Sequence, residues 1–206
     1  FMQRRVNNKE FFMAIMHTLF FSNILKRRCA MNVYVPEHPH KDGKPGFPVV
    51  YLLHGIKQNS TDWTRWPDIE AYVKENGVAL VFPEGYRGFY TDMVYGPAYY
   101  TYLSQELPEL VCKMFGVSGK REDTFVAGLS MGGYGALKMA LKNPERFCAG
   151  AGLSSVADIR GSAEEFRENT LPFLDDHRIL WINVQPWTEA CGKTAICAKT
   201  FSPKKP

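Results

Sequence analysis

The sequence has few cysteines, and they lie far apart. The five cysteines are odd in number and include no CxxC pair. This scatter argues against a disulfide framework and against a zinc site, so we expect a reducing, cytoplasmic location. No other cluster of metal ligands is evident, and we expect no metal in any reaction that the protein performs.

The sequence also lacks an excess of charge of one sign over most of its length. Its 25 lysines and arginines stand against 21 aspartates and glutamates. Four of the lysines follow Glu189, beyond which no acidic residue occurs, so the chain before that point is neutral. Because the basic character belongs to the end of the chain alone, we expect no nucleic-acid partner.

No apolar run is long enough to cross a membrane, which takes about 20 residues. The longest run, residues 11–21, contains His17 and Thr18. Basic residues precede it, as in a signal peptide, but the stretch after it is a poor cleavage site. We therefore expect neither export nor a membrane partner. Residues 1–12 are interpreted as an upstream extension, because Met13 is a candidate start.

The chain does have the length and composition of one globular domain. It contains 206 residues, of which 45% are hydrophobic and 22% charged, and we interpret residues 1–206 as a single domain. Two stretches, 18–22 and 29–35, predict a β-ribbon. Short runs that are apolar on both faces then predict buried parallel strands at 49–53, 78–82, 124–129 and, more weakly, 147–153.

Helical patterns lie between these strands. They cover residues 66–74, 100–115 and 132–141. Alternation of strands and helices predicts an α/β fold, with a mostly parallel sheet and helices on both faces. The pattern ends near residue 171, and we interpret residues 172–206 as a divergent or incomplete tail. The last strands of the sheet would then be missing, and a shift of reading frame is one explanation that the coding DNA would test.

The segment Gly128-Leu129-Ser130-Met131-Gly132 is a G-x-S-x-G motif between a predicted strand and a predicted helix. In this context the serine sits in a strained turn, with its hydroxyl exposed at the carboxyl end of the sheet. The flanking residues must be glycine, because a Cβ atom there would collide with the neighbouring strand and helix. Ser130 is therefore the candidate nucleophile, and the alternative is an ordinary serine in a glycine-rich turn.

An oxyanion site beside such a serine needs two N–H donors. The N–H of Met131 lies at the start of the predicted helix and supplies one candidate. The second donor comes from a loop after an earlier strand, and Ile56 in His54-Gly55-Ile56 fits that place. We expect Gly55 to allow close backbone approach and His54 to be a structural, hydrogen-bonded residue.

Residues 86–102 are unusually rich in aromatic side chains. This stretch is interpreted either as the lining of a substrate pocket or as a loop packed by its own side chains. Asp92 lies within it and precedes the candidate nucleophile. We therefore expect Asp92 to tie the loop down rather than to serve in a catalytic triad.

Several separated motifs resemble the esterase D-type putative esterase family, with bacterial tributyrin esterase as the nearest branch. The resemblance covers about residues 15–160 and implies an α/β-hydrolase fold. It also implies hydrolysis of short acyl esters by a Ser-Asp-His triad without a cofactor, so the expected partner is a small-molecule acyl ester; a homo-oligomer stays open. The motifs are His54-Gly55, Gly88-Phe89-Tyr90-Thr91-Asp92, Tyr95-Gly96, Tyr99-Tyr100, Glu106-Leu107-Pro108, Lys120-Arg121-Glu122 and Ala127-Gly128-Leu129-Ser130-Met131-Gly132-Gly133-Tyr134-Gly135.

The rest of the triad is poorly represented. His177 is the one histidine that follows Ser130, and Asp175 and Asp176 are the acids beside it. Adjacent side chains do not normally face each other in a triad, so these three residues are weak candidates. Besides a serine carboxylesterase, two alternatives stay open: a catalytically incomplete hydrolase-like fragment and an S-formylglutathione hydrolase.

Overall fold

The computed structural model describes residues 13–36, 46–66 and 68–156. The predictions for residues 1–12 and 172–206 lie outside these ranges. The division of the chain into one domain with an extension and a tail therefore stays a prediction.

A single six-stranded sheet organises the described residues, in the order β1-β2-β4-β3-β5-β6. The first two strands form an antiparallel ribbon, and β2 pairs antiparallel with β4, whereas the remaining pairs are parallel. The predicted mostly parallel sheet with a β-ribbon is confirmed. The strands are β1 (Met13–Ser22), β2 (Arg27–Pro36), β3 (Val49–Leu53), β4 (Ala79–Pro83), β5 (Thr124–Leu129) and β6 (Ala149–Leu153).

The helices follow the predicted order, with one shifted start. The predicted helix 66–74 begins instead at Ile69, because Trp66 is extended, as expected for a residue that precedes a proline. A π-helical turn, Tyr102–Glu106, joins two α-helices into one continuous element. The α-helices are α1 (Ile69–Asn76), α2 (Tyr99–Thr101), α3 (Leu107–Phe115) and α4 (Met131–Lys142).

Apolar side chains cover both faces of the sheet. On β3, Val49, Tyr51 and Leu53 belong to the larger core cluster, whereas the alternate residues of that strand pack on a smaller one. The larger cluster includes side chains of α3 and α4, and the smaller one includes Val73 of α1. Helices therefore lie on both faces, as predicted, and this explains why the central strands are apolar throughout.

The parallel strands end together at one edge of the sheet. Leu53 of β3 pairs with Gly128 of β5, and Leu129 pairs with Leu153 of β6. The segments that follow these three strands therefore meet at the carboxyl edge, where open α/β sheets commonly bind ligands.

Candidate active site

Ser130 lies at the sharp turn between β5 and α4. Its backbone has φ 55° and ψ −115°, a conformation that non-glycine residues rarely adopt. The backbone of the turn is held on both sides, because the Ser130 N–H donates to the carbonyl of Leu153 at 2.8 Å and the Ser130 carbonyl accepts from Tyr134 N–H at 3.1 Å. Ser130 is a half-buried residue.

The two motif glycines make this turn sterically possible. A Cβ atom on Gly128 would lie 2.2 Å from the carbonyl oxygen of Gly132. A Cβ atom on Gly132 would lie 2.2 Å from the carbonyl oxygen of Leu53, at the end of β3. These are backbone atoms that cannot rotate away, so any side chain at either position would push the turn off the sheet. The predicted collisions with helix and strand are confirmed.

A β-turn after β3 lies directly beside Ser130. The Gln58 N–H donates to the Gly55 carbonyl at 3.1 Å, and the Gln58 side-chain oxygen accepts from Gly55 N–H at 2.8 Å. A Cβ atom on Gly55 would lie 3.5 Å from the carbonyl oxygen of Leu129, the residue before Ser130. Gly55 therefore lies beside the turn of Ser130, but 3.5 Å is an ordinary van der Waals distance; the closer contact of such a Cβ atom, at 3.0 Å, would be with the Gln58 side-chain oxygen. We call residues 55–58 the oxyanion turn, after the role predicted for Ile56.

Ile56 and Met131, the two predicted oxyanion donors, belong to the two segments that meet here. Met131 is the first residue of α4, where backbone N–H groups have no partner within the helix. In the part of the chain that the structure describes, no protein acceptor takes the N–H of either residue. Amides without an acceptor are the kind of donor that a developing negative charge requires, so Ile56 and Met131 stay candidates for an oxyanion site.

His54 is fully buried and fully engaged, which fits its predicted structural role. Its Nδ1 atom lies 2.8 Å from the Gly55 carbonyl oxygen, and its Nε2 atom lies 3.0 Å from both Gly85 N and a carboxylate oxygen of Glu84. Because both ring nitrogens are taken and the ring has no exposed surface, His54 is not placed to exchange protons with a substrate.

Glu84 is a buried carboxylate at the end of β4. Besides His54, it accepts the N–H groups of Ser60 at 3.1 Å and Tyr86 at 3.0 Å. Burial works to raise the pKa of this carboxyl, but the hydrogen bonds from His54 and the two amides outweigh burial and lower the pKa below its ordinary value. Glu84 is therefore ionised at neutral pH.

Most aromatic side chains of the stretch at 86–102 pack into or against the larger core cluster, and some also on one another, as Tyr86 and Tyr99 do. Tyr90 is completely buried, and its hydroxyl donates to the His54 carbonyl at 2.8 Å. Asp92 accepts both the N–H and the hydroxyl of Thr101, at 2.9 and 2.6 Å, and so ties the loop to α2 as expected. Tyr95 by contrast is 80% exposed, so it packs on nothing in the described core.

The remaining triad candidates, Asp175, Asp176 and His177, lie outside the described residues. Within the described ranges the histidines are His17 and His54. His17 lies on β1, four strands away from β5 in the sheet, where its Nδ1 atom contacts the side chain of Asn32. Neither described imidazole is therefore placed to serve Ser130.

Two negative findings apply to the described ranges alone. No group of three or more His, Cys, Asp or Glu side chains in them is arranged to hold a metal ion. No helix among those described is long and apolar enough to cross a membrane. Cys29, Cys112 and Cys148 are all free thiols.

Sequence reasoning missed two residues that shape this site, Glu84 and Gln58. Glu84 was detectable, since a carboxylate directly after a buried strand lies at the same sheet edge as the residues that follow β3 and β5. Gln58 was not, because a glutamine in a polar loop is ordinary and its hydrogen bond to Gly55 becomes apparent only from the turn geometry.

The sheet, its crossover helices and the strained serine turn between β5 and α4 are those of the α/β-hydrolase fold. Comparison with known families gives a match to the family described as "Putative esterase" over residues 22–194. The chain belongs to this family. The matched range extends beyond the residues, about 15–160, over which the motifs indicated the resemblance.

The individual proteins to which this chain is similar are esterases and other serine hydrolases, in agreement with the family match. An acetyl esterase of Caldicellulosiruptor saccharolyticus is 33% identical over an alignment of 165 residues that covers 75% of this chain and 62% of the relative. FphF, a fluorophosphonate-binding serine hydrolase of Staphylococcus aureus, superposes with a TM-score of 0.68 at 30% identity, covering 74% of this chain and 61% of that one. The S-formylglutathione hydrolase FrmB of the same organism gives 0.66 at 31%, with 74% and 61% covered. The chain thus spans about three fifths of these relatives' length.

Proposed function

We propose that this protein is a serine carboxylesterase that hydrolyses short-chain acyl esters. The observation that carries the proposal is the strained turn at Ser130, a half-buried residue between a parallel strand and a helix, beside the segment that follows β3. The cost of such a turn is of order 1–3 kcal/mol, so a turn with no function would be expected to relax. The 33% identity to an acetyl esterase supports a small acyl group as the substrate class.

The proposed reaction has two halves. Ser130 Oγ attacks the ester carbonyl carbon while its proton passes to a base, and the N–H groups of Ile56 and Met131 hold the oxyanion. The tetrahedral intermediate then expels the alcohol, which takes up the proton, and leaves an acyl group on Ser130. Water attacks the acyl-enzyme in the same way, which releases the carboxylic acid and restores the hydroxyl.

The general base is proposed to come from residues outside the described ranges. His177 is the histidine that follows Ser130 in the chain, and Asp175 and Asp176 are the acids nearest to it. Replacement of His177 by alanine is expected to lower the rate of acylation by three orders of magnitude or more, as removal of a triad base does. A rate equal to that of the wild type would eliminate His177 and direct the search to other residues.

The decisive experiment compares hydrolysis of p-nitrophenyl acetate and butyrate by the full chain and by its Ser130→Ala variant. Loss of the nucleophile should cost about a thousandfold or more in kcat/KM. Ser154→Ala, which removes an exposed hydroxyl just after β6, is the matched control and should keep the wild-type rate. Equal rates for the wild type and Ser130→Ala, or no rate above buffer, would overturn the proposal and favour the incomplete fragment.

A second candidate function is hydrolysis of the thioester S-formylglutathione. Two solved S-formylglutathione hydrolases, from Staphylococcus aureus and Agrobacterium tumefaciens, match this chain at 31% and 26% identity. The same serine chemistry cleaves carboxylic esters and thioesters, so the shape and contacts of the substrate pocket alone determine which of the two is preferred. A kcat/KM for S-formylglutathione at least tenfold above that for p-nitrophenyl acetate would favour this alternative over the carboxylesterase.

A further inference from the structure

The direction of the Ile56 N–H is set by the carbonyl group of the preceding residue. In a trans peptide unit, the C=O of Gly55 and the N–H of Ile56 point in opposite directions. Two donors hold the Gly55 carbonyl, the N–H of Gln58 at 3.1 Å and the imidazole Nδ1 of His54 at 2.8 Å. The Ile56 N–H is therefore turned away from His54 and Gln58.

The protonation of His54 at Nδ1 follows from its partner. A carbonyl oxygen only accepts hydrogen bonds, so an Nδ1 atom 2.8 Å from the Gly55 oxygen must carry a hydrogen. Nε2 then either accepts the Gly85 N–H or, in the doubly protonated ring, donates to Glu84; both atoms lie 3.0 Å away. In both states, His54 donates to the Gly55 carbonyl.

Glu84 holds the ring of His54 from the other side. The carboxylate is fixed independently, since the N–H groups of Ser60 and Tyr86 donate to its two oxygens. His54 is 0% exposed and Glu84 is 8% exposed, so water does not compete for these contacts. When the ring is doubly protonated, a chain of hydrogen bonds thus runs from the end of β4 through the imidazole to the oxyanion turn.

We propose that His54 and Glu84 are positioning residues for the oxyanion site: His54 orients the peptide between Gly55 and Ile56, and Glu84 holds the imidazole that does so. The inference rests on the proposed function, because an oxyanion forms only if Ser130 attacks an acyl substrate. A hydrogen bond to the Gly55 carbonyl also polarises the peptide, which makes the Ile56 N–H a stronger donor. Neither residue touches the substrate.

The test uses two replacements of His54 that differ in the contact they keep. His54→Asn retains an N–H donor near the position of Nδ1 and loses the contact to Glu84. His54→Gln reaches toward the position of Nε2 and loses the donor to Gly55. We expect His54→Gln to lower kcat for p-nitrophenyl acetate about 10- to 100-fold, somewhat below the loss of a whole oxyanion donor. His54→Asn should lower kcat less, about 3- to 10-fold, because it loses the contact to Glu84 but keeps the donor to Gly55, and KM should change about twofold or less in both.

A second readout separates positioning from a merely structural role. Phenylboronic acid forms a tetrahedral adduct with a reactive serine, so its inhibition constant should rise with the fall in kcat. His17→Gln, at an exposed histidine on β1, is the matched control and should change neither value. A structural role alone would lower the urea midpoint and the folded fraction, but would leave kcat per folded molecule and boronate affinity unchanged, which would overturn the proposal.

Two further measurements do not depend on the stability of the His54 variants. Glu84→Gln removes the charge but keeps one carboxamide oxygen, and it should lower kcat about 3- to 10-fold with KM unchanged; an unchanged kcat contradicts the role of Glu84. In the wild-type protein, ¹⁵N NMR of labelled histidine should show His54 protonated at Nδ1, and an unprotonated Nδ1 would overturn the proposal. Loss of activity in Ser130→Ala tests the proposed function separately, since that result does not depend on His54.

Discussion

The turn at Ser130 and the loop at residues 85–92 lie side by side. Both hold their backbone in a strained conformation, but by different kinds of contact. Both hold non-glycine residues at positive φ: Ser130 at 55°, and Tyr86, Phe89 and Tyr90 at 47° to 52°. At the serine turn, close contacts between backbone atoms fix the conformation. In the loop, large side chains do so, since the ring of Tyr90 lies where Cβ atoms on Gly85 and Gly135 would be.

This difference determines how each region responds to change. A backbone clash has no side chain that can move or be shortened, so no second substitution relieves it. A clash with an aromatic ring is relieved when the ring is removed, at the cost of the burial that the ring provided. A side chain in place of a glycine at the serine turn should therefore destabilise the protein whatever second substitution is made. In the loop, a side chain in place of a glycine should be tolerated when the clashing ring has been removed.

The largest effect is expected for Gly132→Ala. Its Cβ atom would lie 2.2 Å from the Leu53 oxygen, so we expect a loss of at least about 4 kcal/mol in the free energy of unfolding, or no folded protein. Gly77→Ala is the control: Gly77 has φ 63° with nothing within 4 Å of the added atom, and should cost about 1 kcal/mol. Urea denaturation that gives similar losses for both variants would contradict the backbone account.

Lys138 connects the two regions, and its titration should give the next largest effect. It is buried on α4, and its ammonium donates to the Thr91 hydroxyl at 2.7 Å. Burial and the nearby Lys142 outweigh Asp92 and lower the pKa of Lys138 to about 8. Between pH 8 and the ordinary lysine pKa, the unfolded chain binds the proton that the folded chain has released, so stability rises with pH.

The measurement is the free energy of unfolding of the wild type minus that of Lys138→Met, followed from pH 7 to 10.5. We expect this difference to increase by up to about 3 kcal/mol above pH 8. The subtraction removes the opposite contributions of tyrosines and cysteines that both proteins share. If this difference does not change with pH, the pKa of Lys138 in the folded protein is that of an ordinary lysine, and the predicted effect of its burial between the two regions is contradicted.

Gly135→Ala should cost about 2 kcal/mol, because its Cβ atom would lie 2.5 Å from the Tyr90 ring. The comparison with the serine turn predicts that this cost disappears in a Tyr90→Ala background, whereas the cost of Gly132→Ala does not. A double-mutant cycle measured by urea denaturation checks this directly. Equal costs of Gly135→Ala in both backgrounds would refute the claim that the ring holds the loop.

The smallest effect is expected for Tyr90→Phe. It removes the hydroxyl that donates to the His54 carbonyl and leaves the ring in place, so we expect a loss of about 1 kcal/mol. Tyr95→Phe, at an 80% exposed ring, should cost nothing measurable in the same denaturation experiment. If Tyr90→Phe is equally silent, the hydroxyl contributes nothing to the contact between the loop and the oxyanion turn.

The fold could be predicted from the sequence because its signals are local. Strands such as Val49–Leu53 and Thr124–Leu129 are short apolar runs, and each is followed by glycine or a turn. The hydrophobic pattern predicts less well the helix ends that depend on a single residue. The start of α1, for example, is displaced to Ile69 by a proline. The antiparallel pairing of β2 with β4 was not predictable, since pairing partners depend on tertiary contacts.

The site could be predicted only in part, for the same reason. Ser130, Met131 and Ile56 could be proposed because each lies within three residues of a strand end. The contacts around His54 bring together β3, β4 and the loop at Tyr90, segments about 30 residues apart in the chain. No periodicity or local motif records such contacts, so the contacts of His54 with Glu84 and with the Tyr90 hydroxyl became apparent only from the structure.

The central claim is that the turn after β5 makes Ser130 a reactive nucleophile. The most direct measurement is labelling of the intact protein with a fluorophosphonate probe, followed by peptide mass spectrometry to locate the adduct. We predict one adduct per molecule, on Ser130, and none on the nearby Ser154 or in a Ser130→Ala variant. Absence of labelling in the folded wild type, or an adduct on another serine instead, would contradict the account.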